Sequence, residues 1–125
     1  MANYFKDRRQ SFAYAFQGLA TLWRTQPHAK IHVIMAMLCL SMAAYFELES
    51  WEWAALVGCI TLVLSAEAFN TALEFLTDLV SPDYHPLAGH AKDLAAGAVL
   101  LAAIGALVIG LIIFTPYWQA LLGFK

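Results

Sequence analysis

Residues 94–117 read LAAGAVLLAAIGALVIGLIIFTPY, 24 positions in which the one ionisable side chain is the terminal Tyr117. As a helix this stretch rises about 36 Å, enough to cross a hydrocarbon core roughly 30 Å thick. The chain around it has 125 residues, is 62 % apolar and only 13 % charged. A soluble domain of that size cannot hide so much apolar surface, because its surface-to-volume ratio is too high. The sequence therefore predicts an all-α integral membrane protein.

Two further spans lie upstream. Residues 31–46 are apolar except for His32 and Ser41, and Lys30 at one end and Leu48 at the other extend the crossing to 31–48. Residues 53–66 carry no charge, and the apolar pattern continues through Glu67, Asn70 and Glu74 to give a second span over 53–79. The third span is 94–117.

Residues 4–25 have a different character. Phe5, Phe12, Phe16, Leu19 and Trp23 are spaced by 7, 4, 3 and 4, which stacks them on one helical face. Lys6, Gln10, Gln17, Thr21 and Arg24 fall opposite, with Arg8 and Arg9 at the stripe's edge. A basic helix with an aromatic face suits the membrane interface, and packing against the chain's own bundle fits the same pattern. Pro27 closes it. The whole forms one domain of 125 residues.

Charge sets the expected topology. Residues 1–30 hold five of the seven Lys and Arg, and the 77–93 connection holds Lys92. The turn between the first two spans holds Glu47, Glu49 and Glu52 and no base. Basic residues stay cytoplasmic, so the N-terminus and the 77–93 connection are expected on the cytoplasmic side of a bacterial inner membrane that the chain crosses several times. Residues 1–30 lack the short apolar core of a signal peptide. A net charge of −2 argues against a nucleic-acid partner. Cys39 and Cys59 sit in apolar runs without a CxxC, which indicates neither a disulfide frame nor a zinc site.

Glu67, Asn70, Glu74 and Asp78 stand at offsets 0, 3, 7 and 11, so they line one face of the second helix. A carboxylate at mid-membrane costs roughly 2.5–3.5 kcal/mol on insertion scales. Several on one stripe require a polar partner: another helix, water, a metal or a substrate. The stripe runs toward residues 81–93, with Asp83, Tyr84, His85, His90, Lys92 and Asp93. Carboxylates beside a lysine at a cytoplasmic surface suit Mg²⁺ and phosphate chemistry, and a glutamate deeper in the bilayer suits proton removal from a lipid hydroxyl. No Gly-rich phosphate loop is present. A structural polar seam between protomers, or an oligomeric channel or proton pathway lined by Glu67, Asn70 and Glu74, accommodates the same stripe.

EAFNTALE at 67–74, then Asp78 and His85, then AKDLAAGAV at 91–99 resembles the prokaryotic diacylglycerol kinase and undecaprenol kinase family, and the likeness covers nearly the whole chain. The resemblance implies a homotrimeric bundle of small lipid kinases, with three transmembrane helices and an interfacial helix per protomer. It implies ATP and Mg²⁺ in sites between protomers, and a membrane lipid alcohol as acceptor. By the same resemblance Glu67 is the general base, Glu74 binds metal and nucleotide, and Asn70 positions the substrate, with Asp78 beside it on the stripe. Tyr14, Asp83, Tyr84, His85, Lys92 and Asp93 match residues at the nucleotide.

One departure stands out. Where the family usually has a metal-binding glutamate after the amphipathic helix, this chain has Gln26, which offers a neutral carbonyl oxygen in its place. That change leaves open a catalytically degraded relative. RQSFAYAFQG at 9–18 and KIH at 30–32 look nearer the undecaprenol kinase branch, with diacylglycerol as the alternative substrate.

Overall fold

The computed structural model describes residues 2–123, with side chains from residue 7 onward, so the side chains of Phe5 and Lys6 lie outside the described residues. Four helices follow one another: α1 (Ala2–Thr25), α2 (Pro27–Tyr45), α3 (Ser50–Val80) and α4 (Pro86–Leu121). Among the described residues there is no strand. The last three helices are long and apolar enough to cross a membrane. At 31 and 36 residues, α3 and α4 measure about 46 and 54 Å, so both project beyond a bilayer core.

Each break has a local cause. A proline disfavours helical geometry in the residue before it, and Gln26, preceding Pro27, is extended at φ −111° and ψ 108°. Gln26 is thus the whole connection between α1 and α2, and Pro27 starts α2, where its missing N–H costs nothing. At the far end of α2, Glu47 N–H bonds to Ala44 O and Leu48 N–H to Ala43 O, with Glu47 at φ 52°. This is a Schellman turn with glutamate in the left-handed position that glycine usually takes. Glu49 and Glu52 then form a reciprocal capping box at the start of α3.

The connection expected over 77–93 narrows to residues 81–85. Helix α3 runs on to Val80, and α4 begins at Pro86, where the His85 side chain accepts from Leu87 N–H at 3.2 Å. Pro86 and a capping histidine start the helix eight residues before the uncharged run at 94.

Helix α3 contacts all three of the others, whereas, among the described residues, α2 packs on α1 and α3, and α4 on α3 alone. The core lies at the end of the bundle near the Glu47 turn, where Ala43, Leu48, Leu56, Ile113 and Phe114 are buried. There Phe46 meets Phe114, Tyr117 and Trp118 at ring-centroid distances of 6.3, 5.6 and 5.2 Å. Toward the other end, an apolar groove of about 350 Å³ opens over α3, lined among others by His32, Cys39, Cys59, Val63 and Gly110. Leu100, Leu101, Leu107 and Ile112 are more than half exposed, an outward apolar surface that only lipid or another helix can cover. Within the chain, the space over Gly97, Gly105 and Gly110 is open, so none of them serves a close approach between its own helices.

Helix α1 separates two functions on two faces. Phe12, Phe16, Leu19 and Trp23 are exposed, while Leu22 is buried. The flank carrying Ala15, Gly18 and Leu22 faces Ala68, Thr71, Ala72 and Phe75 of α3. Leu22 is the buried contact on this flank, Ala15 and Gly18 border an open space between the two helices, and the aromatic stripe is left free for the membrane interface.

Candidate active site

The buried polar side chains Glu52, Glu67, Asn70 and Thr71 all stand on α3. Along one face this helix carries Glu52, then Leu56 and Val63, then Glu67, Asn70 and Thr71. Its chemistry changes from an acid at the Glu47 end, through an apolar middle, to a polar cluster at the end where α1 packs.

Within that cluster Glu74 is the hub. Its Oε1 accepts from Asn70 Nδ2 at 3.0 Å, one turn away, and its Oε2 accepts from Gln26 Nε2 at 3.2 Å, across the bundle. Pro27 makes the second bond feasible, since it holds Gln26 extended at the α1–α2 junction, level with the α3 stripe. Asn70 is nine-tenths buried and its Oδ1 has no partner. An unsatisfied buried acceptor costs about 1–3 kcal/mol, so this oxygen is set to receive a donor or a cation.

Glu67 lies one turn deeper and is 4 % exposed. Thr71 Oγ1 donates to the Glu67 backbone carbonyl at 2.9 Å, and among the described residues no hydrogen bond reaches the Glu67 carboxylate. With no donor from the chain, that carboxylate is left to meet a group that arrives from outside it. Sequence reasoning passed over Thr71; its signal was a polar residue four positions after Glu67 in an apolar helix.

The remaining candidate residues are dispersed. Asp78 pairs with Lys92 of α4, both partly or largely exposed, so Asp78 is turned to α4 and not to Glu74. His85 caps α4, Asp83 accepts from Ser81 Oγ through its backbone oxygen, and Tyr84 is 91 % exposed. Asp93 is exposed, and Tyr14, also exposed, accepts from Gln10 Nε2 at 2.7 Å. The chain thus joins Gln26, Asn70 and Glu74 directly, sets Glu67 on the same face, and links Asp78 to Lys92. It does not gather Tyr14, Asp83, Tyr84, His85 and Asp93 around a common point.

Among the described residues no three His, Cys, Asp or Glu side chains cluster as a complete metal site. The donors present are one carboxylate and two amide oxygens, with the orphaned Asn70 Oδ1 among them. This set fits Mg²⁺, which is commonly held by one or two carboxylates while phosphates and water fill its other positions.

The prokaryotic diacylglycerol kinase family model matches residues 13–114. A diacylglycerol kinase of Synechocystis is 42 % identical over 107 residues, covering 85 % of this chain and 61 % of that protein. An undecaprenol kinase of Bacillus subtilis is 38 % identical over 107 residues, covering 86 % of this chain and 87 % of the relative. A diacylglycerol kinase of Escherichia coli is 28 % identical over 95 residues, covering 76 % and 78 %. These matches are to kinases, and a channel or proton pathway lined by Glu67, Asn70 and Glu74 finds no support in them. The chain belongs to the prokaryotic diacylglycerol kinase family, and with it to the membrane lipid kinases.

Proposed function

We propose that the chain transfers the γ-phosphate of ATP, with Mg²⁺, to the hydroxyl of undecaprenol at the cytoplasmic face of the bacterial inner membrane. Diacylglycerol is the competing acceptor. The observation that carries this reading is the buried, undonated carboxylate of Glu67 on the same α3 face as the Gln26–Glu74–Asn70 cluster. A lipid alcohol reaching that depth from the bilayer meets a base first and the phosphate-binding end of the stripe next.

Glu67 removes the hydroxyl proton as the oxygen attacks the γ-phosphorus in line, and the bond from that phosphorus to the β,γ-bridging oxygen breaks to release ADP. Asn70, its Nδ2 held by Glu74, would turn Oδ1 toward the cation and so help to fix the site. Glu74, with Gln26 beside it, would hold Mg²⁺, which supplies charge compensation on the phosphate oxygens. Lys92, paired with Asp78, stands toward the nucleotide with Asp93, His85, Tyr84, Asp83 and Tyr14. With few polar groups available, catalysis rests on positioning and charge stabilisation. The dispersion of the nucleotide residues in one chain supports an assembly in which neighbouring protomers complete each site, and the family resemblance makes that assembly a homotrimer. The basic N-terminal third supports a cytoplasmic N-terminus.

RQSFAYAFQG at 9–18 and KIH at 30–32, together with the similarity to the Bacillus subtilis undecaprenol kinase, support the prenol. A panel of undecaprenol, shorter prenols and diacylglycerol, each presented to the reconstituted protein with labelled ATP, tests it. Preferential labelling of undecaprenol is expected; preferential labelling of diacylglycerol, or equal labelling of all alcohols, defeats the assignment.

A further inference from the structure

Among the described residues Glu74 has no cationic partner, and both of its oxygens already accept from amides. A carboxamide beside a carboxylate turns its N–H₂ toward it, because the opposite orientation sets oxygen against oxygen. A divalent cation reverses that preference: it repels the N–H₂ and attracts the carbonyl oxygen. The chain offers the cation one full negative charge, from Glu74, and neutral oxygens from Asn70 and Gln26. The next acid along the stripe, Asp78, is neutralised by Lys92. Mg²⁺ gives up its water reluctantly, and a single half-buried carboxylate that is already hydrogen-bonded is a poor inducement.

We propose that Gln26 gates Glu74: its carboxamide donates to Glu74 Oε2 while no cation is bound and turns over to present Oε1 when a cation arrives on a nucleotide, so that the site takes its metal only as the metal–nucleotide complex. The proposal rests on the kinase reading of the site. It goes beyond that reading by fixing the order of binding and by giving Gln26 a positioning role distinct from that of a second acid. Pro27 is part of the device, because it anchors the Gln26 backbone and leaves the side chain as the moving part.

The test uses the full chain in lipid nanodiscs, Mn²⁺ as the paramagnetic probe, and a non-hydrolysable ATP analogue. Wild type is expected to retain Mn²⁺ with the analogue and to leave it free without. Gln26→Glu, which adds a charge next to Glu74, is expected to bind Mn²⁺ alone at least about tenfold more tightly than wild type. It should also show a larger Mn²⁺-induced rise in unfolding temperature. Gln26→Leu, which removes donor and acceptor together, is expected to gain no binding of Mn²⁺ alone and to weaken the Mn²⁺–analogue complex. Equal Mn²⁺ affinity in wild type with and without the analogue overturns the gate, as does a Mn²⁺–analogue complex indifferent to both substitutions. Failure of wild type to bind the Mn²⁺–analogue complex at all removes the kinase reading as well. Should Gln26→Glu not fold, the wild-type comparison and Gln26→Leu still decide the matter.

Discussion

Gln26 Nε2 and Glu74 Oε2 lie 3.2 Å apart although 48 positions separate them in the chain. The bond ties the α1–α2 junction to the polar face of α3 and so couples the end of the interfacial helix to the site. Asn70 holds the other oxygen of the same carboxylate at 3.0 Å. Replacing Asn70 by Asp sets a second acid against Glu74 and deletes that donor. The expected cost is about 1–3 kcal/mol of stability, read as a lower unfolding temperature in detergent, with transfer activity lost in parallel.

The Lys92–Asp78 pair is exposed, at 38 % and 64 %, and exposed pairs contribute about 0–1 kcal/mol. Asp78→Asn is therefore expected to leave the unfolding temperature nearly unchanged while raising the apparent KM for ATP. A large loss of stability with an unchanged KM would make the pair a structural clamp.

Glu52 is 6 % exposed and accepts from Tyr117 Oη at 2.6 Å and from Glu49 N–H at 2.9 Å. It ties the start of α3 to the end of α4 at the opposite end of the bundle from the site. Glu52→Ala leaves both donors unpaired and is expected to cost about 1–3 kcal/mol. Tyr117→Phe is expected to act in the same direction but less. At a temperature where the variants remain folded, turnover should stay near that of wild type, as checked by unfolding curves beside initial rates.

Glu47 occupies φ 52° in the turn after α2. Left-handed geometry costs an ordinary residue about 1–2 kcal/mol, part of which Gly regains at some expense in chain entropy. Glu47→Gly is expected to raise stability by roughly 0.5–1 kcal/mol without altering kinetics. A fall in stability would show that the Glu47 side chain contributes more than its backbone strain removes.

The helices were legible because membrane solvent imposes long apolar runs, and the 94–117 stretch alone demands one. Arithmetic on the helical repeat made the shared face of Glu67, Asn70 and Glu74 equally legible, but not that Asp78, on the same count, turns away to Lys92 of α4. Helix ends were less so: α4 begins at Pro86 among charged and polar residues, where capping and not hydropathy decides. The Gln26–Glu74 bond was invisible to any local pattern, as it depends on how α1 and α2 meet α3. Thr71 and the Glu52–Tyr117 bond escaped for a related reason, as both read as ordinary residues until burial singles them out. The burial of Leu22 on α1 was hidden behind the more conspicuous aromatic stripe.

The central claim is that Glu67 serves as the base for phosphate transfer to a lipid alcohol. Its most direct test compares transfer of labelled γ-phosphate from ATP to undecaprenol by wild type and Glu67→Gln, both reconstituted with excess Mg²⁺. Wild type is predicted to yield undecaprenyl phosphate. Glu67→Gln, isosteric and unable to take a proton, is predicted to lose about 10²–10⁴ in rate while still binding the nucleotide. Undiminished transfer by Glu67→Gln, or no lipid phosphate from wild type with any alcohol supplied, would contradict the account.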